Sequence, residues 1–242
     1  MPGPTTRRMR RDSSGSTPCD CGSLPSARGR HPLSHLKNRG IGSTLERVES
    51  SDPTQEAACR PRVVVSACLL GEKVRYDGSD RRLPWLTEIL SGHCGLQSIC
   101  PEVEAGLGVP RPPVRLLREP TGEIRVRGVD DPSLDVTDRL QDACRSLLDR
   151  FEGVDGVILK SRSPSCAVDD APCPGPGDGE GRCPGLFARM CRQRYPDLPL
   201  IDERGLASEA GKVGFLIQVF RYRCRRLRPS ADPAGWPLPG KA

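Results

Sequence analysis

Three cysteines of this 242-residue chain each close a short run of small or polar residues. The runs are Ser66-Ala67-Cys68, Ile99-Cys100-Pro101-Glu102 and Ser163-Pro164-Ser165-Cys166. Each run follows an apolar, strand-like stretch, directly or after a short polar turn. Strands that end side by side could bring the three thiols to one point, and three soft ligands there suit an iron–sulfur cluster or a zinc ion. We therefore predict a metal centre at that point.

Two groups beside these thiols could carry protons. Glu102 lies two residues after Cys100, and Ser163 lies three residues before Cys166. A carboxylate and a hydroxyl in these places could move protons to and from a bound substrate. The alternatives are a surface or capping carboxylate for Glu102 and, for Ser163, a turn hydroxyl that bonds its own backbone.

The metal itself is not fixed by the spacing of the thiols. The separations between the three cysteines match no compact zinc-ribbon or ferredoxin pattern. Lys160 and Arg162 lie close to the third thiol, and their positive charge favours the thiolate, which is the ligating form. Three protein ligands on a four-iron cluster would leave one iron open to a substrate.

The elements that must position these residues alternate between strands and helices. Strand-like runs are predicted at 63–65, 96–99, 156–160 and 198–201, helices at 84–90, from 135, 185–194 and 208–226, and a hairpin at 114–127. This alternation predicts an α/β single domain with a mostly parallel, Rossmann-like sheet and flanking helices. Such sheets bind ligands at the carboxyl ends of their strands, which is where the three motif cysteines fall.

The two ends of the chain differ in composition from its middle. Residues 1–60 hold ten Lys or Arg, six acidic residues and few large apolar ones. We predict a disordered N-terminal tail, with an organelle transit peptide as the alternative. The folded domain is predicted at 61–228, followed by a Pro-rich disordered tail at 229–242. The near-neutral middle does not favour nucleic acid as a partner.

Twelve cysteines raise the question of disulfides. The chain shows neither a secretory apolar region nor a membrane-spanning one, so we expect a cytoplasmic protein with reduced thiols and no membrane partner. Cys144, Cys191 and Cys224 fall in helical patterns, as core or surface residues. Cys173 and Cys183 bracket a Gly/Pro-rich insert that we expect to be a flexible surface loop. The alternative is that one of these two thiols fills the open iron position.

Three ordered blocks of the chain resemble the 2-thiouracil desulfidase family, a bacterial family long catalogued as a domain of unknown function. The blocks are 65–71 with 74–78, 100–103 with 109–113, and 159–166, and the resemblance continues through 185–188 and 199–206. The resemblance is collinear over about residues 62 to 222.

The resemblance implies a [4Fe-4S] cluster bound by Cys68, Cys100 and Cys166, with its fourth iron open. It implies that the thiocarbonyl sulfur of a small thiolated substrate binds this iron and is replaced by oxygen from water. The site residues expected from it are Glu102 and Ser163 for catalysis and Lys160, Ser161 and Arg162 for substrate binding.

One position departs from the family pattern. Ala167 stands where the family usually has glycine after the third cysteine. If that position required a positive φ angle, alanine there would be strained.

Two other functions remain open at this point. One is a sulfur-handling enzyme that acts on thiolated RNA through the arginines of the tail, the hairpin and the last helix. The other is a non-enzymatic zinc-binding module. The oligomeric state is left open.

Overall fold

The structure, a computed structural model, describes residues 60–177 and 181–228. The two predicted tails lie outside this range, apart from Arg60, so their disorder stays a prediction. No helix within the described range is long and apolar enough to cross a membrane.

The secondary structure follows the predicted alternation. In chain order the strands are β1 (Arg62–Ser66), β2 (Gly95–Ile99), β3 (Val114–Arg118), β4 (Ile124–Gly128), β5 (Gly156–Leu159), β6 (Ala171–Pro172), β7 (Arg182–Cys183) and β8 (Leu200–Asp202). The helices are α1 (Pro84–Glu88), α2 (Pro101–Glu104), α3 (Thr137–Asp149), α4 (Leu186–Arg194) and α5 (Glu209–Leu227). Short 3-10 turns lie at Ala67–Leu70, Leu90–Gly92 and Gly205–Ala207.

Four of these strands form one parallel sheet. Their order is β2-β1-β5-β8, and every neighbouring pair in it is parallel. The central strand β1 is buried on both faces, as its run of three valines predicts. The α/β fold with a parallel, Rossmann-like sheet and flanking helices is therefore confirmed.

Each face of the sheet has its own hydrophobic layer. Val64 and Val157 point to the side covered by α3 and α4, where Leu140 and Phe187 are buried with them. Val63 and Val65 point to the opposite side, among buried residues of α1 and α5. This alternation along β1 is the two-residue period of a strand.

Two short antiparallel ribbons lie outside the four-stranded sheet. Strands β3 and β4 form the predicted hairpin, with Leu116 and Val126 buried in the α3 layer. Strands β6 and β7 pair within the Gly/Pro-rich insert, and both Cys173 and Cys183 are buried. The expectation of a flexible surface loop is therefore wrong for these two thiols, because both pack into the core. Residues 178–180, between them, lie outside the described range.

Candidate metal centre and active site

The three motif cysteines line a single cavity of about 440 Å³. Cys68 lies in the 3-10 turn after β1, Cys100 directly follows β2, and Cys166 lies on the loop after β5. Because β1 pairs with both β2 and β5 in parallel, the carboxyl ends of all three strands reach the same edge of the sheet. The structure therefore brings these thiols together as their sequence positions predict.

Burial shapes the chemistry of these thiols. Desolvation, followed by the nearby Cys100 thiol, raises the pKa of Cys68 to about 11. Desolvation also raises the pKa of Cys166, against a hydrogen bond from Ser66 that lowers it. Thiols in such a place become thiolates at a low cost only if a positive centre compensates their charge. The donor set therefore fits a soft metal group.

The side chains next to the cavity thiols are small. Among residues 60–177 and 181–228, no three His, Cys, Asp or Glu side chains are grouped so that they could hold a single metal ion. Ser66 and Ala67 line the cavity together with the three thiols and leave room for a group of several atoms.

No further cysteine of the described residues lines this cavity. Cys144 and Cys191 are buried in α3 and α4, and Cys224 is exposed on α5, as predicted. Cys173 and Cys183 lie in the β6–β7 ribbon, where burial and then a hydrogen bond with Cys173 raise the pKa of Cys183 to about 12. Neither of them supplies a fourth thiol to the cavity.

Glu102 faces the same cavity and is held from both sides. It lies in the first turn of α2, directly after Pro101. Its Oε2 accepts hydrogen bonds from Arg111 Nε at 3.0 Å and from Arg111 Nη2 at 2.7 Å. Its Oε1 accepts a hydrogen bond from Ser165 Oγ at 2.5 Å. The carboxylate thus has a fixed orientation beside Cys100.

Arg111 and Ser165 were not singled out by the sequence analysis. Arg111 is buried, and its Nη1 also donates to the carbonyl oxygens of Val74 and Gly108. Both residues lie inside family blocks, at 109–113 and 159–166, which is the signal that could have pointed to them.

Ser163 organises the loop that carries the third thiol. Its Oγ accepts hydrogen bonds from the backbone N–H groups of Ser165, at 3.2 Å, and of Cys166, at 3.1 Å. The turn-hydroxyl alternative is therefore observed. The hydroxyl hydrogen is still free to donate, and Ser165 Oγ lies 3.5 Å away.

Lys160 and Ser161 line the cavity but are bonded to Glu203. Lys160 Nζ donates to Glu203 Oε1 at 2.5 Å, and Ser161 donates to both carboxylate oxygens through its N–H and Oγ. Burial opposes the charge of Glu203, yet the hydrogen bonds from Lys160 and Ser161 outweigh it and lower the pKa of Glu203. Substrate binding by Lys160 and Ser161 stays a prediction.

Arg162 lies at the turn of this loop. It is exposed at the cavity and has a φ angle of 61°, the one positive φ of a non-glycine residue in the described range. Its backbone N–H donates to Asp170 Oδ1 at 2.9 Å, which holds this turn. This contact involves the backbone of Arg162 only, so a role of its side chain in substrate binding stays a prediction.

Ala167 is not strained. It is fully buried, and its φ angle is not in the left-handed region. The position near this loop that requires glycine is Gly185, because a Cβ atom there would lie 2.5 Å from the carbonyl carbon and oxygen of Ser165. The start of α4 therefore packs directly on the loop of the third cysteine.

The comparisons with known proteins agree with this geometry. The family model described as 2-thiouracil desulfurase matches residues 63–203, a span that contains all three cavity cysteines. Among solved structures, the [4Fe-4S]-dependent thiouracil desulfidase TudS matches with a TM-score of 0.50 and 28% sequence identity. The match covers 64% of this chain and 99% of that chain. No curated protein matches the chain.

Proposed function

The chain belongs to the 2-thiouracil desulfurase family, and we propose that it removes sulfur from a thiolated nucleobase such as 2-thiouracil, or from a similar small thioamide. In the overall reaction the thiocarbonyl compound and water give the carbonyl compound and hydrogen sulfide. The observation that carries this proposal is the meeting of three thiols and a fixed carboxylate on one cavity.

We infer that Cys68, Cys100 and Cys166 hold a [4Fe-4S] cluster. The inference is supported by the three cavity thiols, by the small residues beside them, and by the similarity to a desulfidase described as [4Fe-4S]-dependent. When bound, such a cluster supplies an iron with a free position, a Lewis acid that prefers sulfur to oxygen.

The polar side chains of the chain itself would handle the protons. Glu102 Oε1 would take up the proton that water loses as it attacks the thiocarbonyl carbon. Ser165 Oγ bonds to this oxygen and lies 3.5 Å from Ser163 Oγ, so the two hydroxyls can pass the proton on to the substrate side. Arg111 positions the carboxylate through its two hydrogen bonds to Oε2.

The size and lining of the cavity suit a small planar substrate. Its volume of about 440 Å³ would be shared by the cluster and the substrate, and it lies within the range of small-molecule sites, about 300–1,000 Å³. Apolar contacts come from Val74, Ile99 and Pro113, and Tyr76 stands at the exposed rim. A nucleobase ring could pack against these surfaces while its sulfur points toward the thiols.

The test is anaerobic reconstitution with iron and sulfide, followed by measurement of sulfide release and uracil formation from 2-thiouracil. Replacement of Cys68, Cys100 or Cys166 by Ala should abolish both the bound iron and the turnover, because each removes one of three ligands. Cys224→Ala is the matched control, since this thiol is exposed and is not part of the cavity lining. Full iron content and full turnover in Cys100→Ala would contradict the proposed ligand set.

A further inference from the structure

Helix α5 is apolar on two opposite faces. Its inner face places Phe215 and Val219 in the buried layer beneath β1 and β5. Its outer face carries a row of six residues, which we call the outer stripe: Ala210, Val213, Ile217, Phe220, Cys224 and Leu227. An apolar face of a helix is normally buried against a partner, so two opposite apolar faces predict contacts on both sides.

The rotation of α5 about its axis is fixed. Val219 packs so closely on β5 that a Cβ atom on Gly156 would lie 2.6 Å from its Cγ2. One and two turns further along the helix, Arg223 Nη1 and Arg226 Nη2 donate hydrogen bonds to the buried carboxylate of Asp155, at 3.0 Å and 2.8 Å. The outer stripe therefore cannot turn inward.

All six residues of the outer stripe are exposed. The relative exposures of its four large side chains are 53% for Val213, 51% for Ile217, 45% for Phe220 and 55% for Leu227. They make up four of the nine exposed large apolar side chains in the described range. Concentration of such residues on one surface marks an interaction site.

The spacing of the outer stripe indicates what kind of partner covers it. Its residues follow one another at intervals of three and four, which is the heptad pattern that receives another helix. We propose that the outer stripe is a dimer interface, on which α5 of a second copy of this chain packs in antiparallel orientation.

The charges beside the stripe favour the antiparallel arrangement. Arg221, Arg225 and Arg228 are exposed at the C-terminal end of α5. At its N-terminal end Glu209 pairs with Lys212, so no comparable group of like charges lies there. Parallel copies would bring the two arginine groups together. Antiparallel copies place the two arginine groups at opposite ends of the interface and oppose the two helix dipoles.

The residue sizes also match in this orientation. If the two-fold axis passes midway between Ile217 and Phe220, Ile217 of one copy faces Phe220 of the other. Val213 then faces Cys224, and Ala210 faces Leu227. Symmetry repeats each pair, which gives six layers. Because this part of the helix is only about 27 Å long, the interface is small and the dimer should depend on protein concentration.

The first test is sedimentation velocity of the full-length reconstituted protein from about 1 µM to about 1 mM, the range of dissociation constants of weak, specific dimers. The wild type should shift toward twice its chain mass of 26.3 kDa, and Ile217→Glu should stay monomeric. Gln218→Glu is the matched control, since it adds the same charge one residue away from the stripe and should dimerise. A monomeric wild type at 1 mM, or equal dimerisation of Ile217→Glu, would overturn the proposal. Circular dichroism and iron content verify that each variant is folded.

The second test fixes the orientation by cross-linking under mild oxidation with a small-molecule disulfide. In the antiparallel dimer the two native Cys224 residues lie about 16 Å apart along the axis, too far for a disulfide. Val213→Cys should therefore cross-link to Cys224 of the other copy, and Val213→Cys combined with Cys224→Ser should not. A wild-type dimer linked through Cys224 to Cys224 would show parallel packing and overturn the antiparallel interface.

Discussion

Glu102 is held on both carboxylate oxygens by residues that are distant in sequence. Arg111 reaches it from the loop before β3, and Ser165 reaches it from the loop after β5. The two partners restrict different oxygens, so the side chain has little freedom to rotate. Such pre-positioning is what a proton-transfer group needs, because the geometry does not have to be assembled during the reaction.

Glu102→Gln should therefore keep the cluster and slow turnover. The amide preserves the size of the side chain but cannot take up a proton, so kcat should fall by about 10²- to 10⁴-fold. Iron and sulfide analysis should match the wild type, and kcat is measured from uracil formation. Glu104→Gln on the same helix is the control, because Glu104 is partly exposed and pairs with Arg150. Loss of the cluster in Glu102→Gln would instead mean that the carboxylate is structural.

Sequence motifs located the thiols and Glu102 but not the partners of Glu102. Each motif cysteine can be located from its own short segment, because it follows small residues at the end of a strand. Parallel pairing of these strands then brings the three cysteines to the same edge of the sheet. The contacts of Glu102 with Arg111 and Ser165 are set by loop paths across 9 and 63 residues. A local sequence pattern does not indicate which residues meet across such separations. Nothing in the sequence around Arg111 therefore distinguishes it from other loop arginines.

At the scale of elements, prediction succeeded wherever hydrophobic pattern determines structure. The valines of β1 and the apolar stripe of α3 follow the periods of a strand and a helix. The β6–β7 ribbon is not predicted from the sequence, because a segment rich in Gly and Pro has the composition of a loop. The pairing of β6 with β7 and the burial of Cys173 and Cys183 in the core define it, and both depend on tertiary structure.

The junction between α4 and the third-cysteine loop yields a prediction. Gly185→Ala places a methyl group against the carbonyl of Ser165 and 2.8 Å from the backbone nitrogen of Ala167, so the loop must move. We expect a destabilisation of about 1–3 kcal/mol, as for other overpacked sites, together with weaker iron retention. Urea unfolding and iron loss during dialysis measure these effects.

Gly92→Ala is the control for this junction. A Cβ atom at Gly92 meets no atom within 4 Å, and its φ angle is not positive, so the stability should change by less than about 0.5 kcal/mol. Equal stability and equal iron retention in Gly185→Ala and the wild type would show that the loop adapts without cost. The coupling of α4 to the Cys166 loop would then be absent.

At the scale of the whole molecule, the position of the site is determined by where the parallel strands end and not by a charged surface. The parallel order β2-β1-β5-β8 gathers the three thiol loops, and the family match spans this same region, residues 63–203. The N-terminal arginines that raised the question of RNA lie before it. Preference for a free thiolated base over thiolated RNA therefore stays a prediction from the near-neutral charge of the folded part.

Removal of residues 1–59 should leave the enzyme intact. Every described helix and strand begins at or after Arg62, and the family match begins at residue 63. We expect unchanged kcat/KM for 2-thiouracil and an unchanged melting temperature. A clear loss of activity with full iron content would place part of the site in the N-terminal segment.

The matched control for this truncation removes three more residues, through Arg62. Arg62 is the first residue of β1, and its backbone makes two hydrogen bonds with Asp155. The Arg62 N–H donates to the Asp155 carboxylate at 2.9 Å. The Arg62 carbonyl accepts from the Asp155 backbone N–H at 2.7 Å. Its guanidinium also donates to the Glu152 carbonyl. Loss of these bonds leaves the buried Asp155 short of a donor and shortens the central strand, so the melting temperature should fall by several degrees. Equal melting temperatures for the two truncations would mean that β1 effectively begins at Val63, and the N-terminal boundary of the domain would move accordingly.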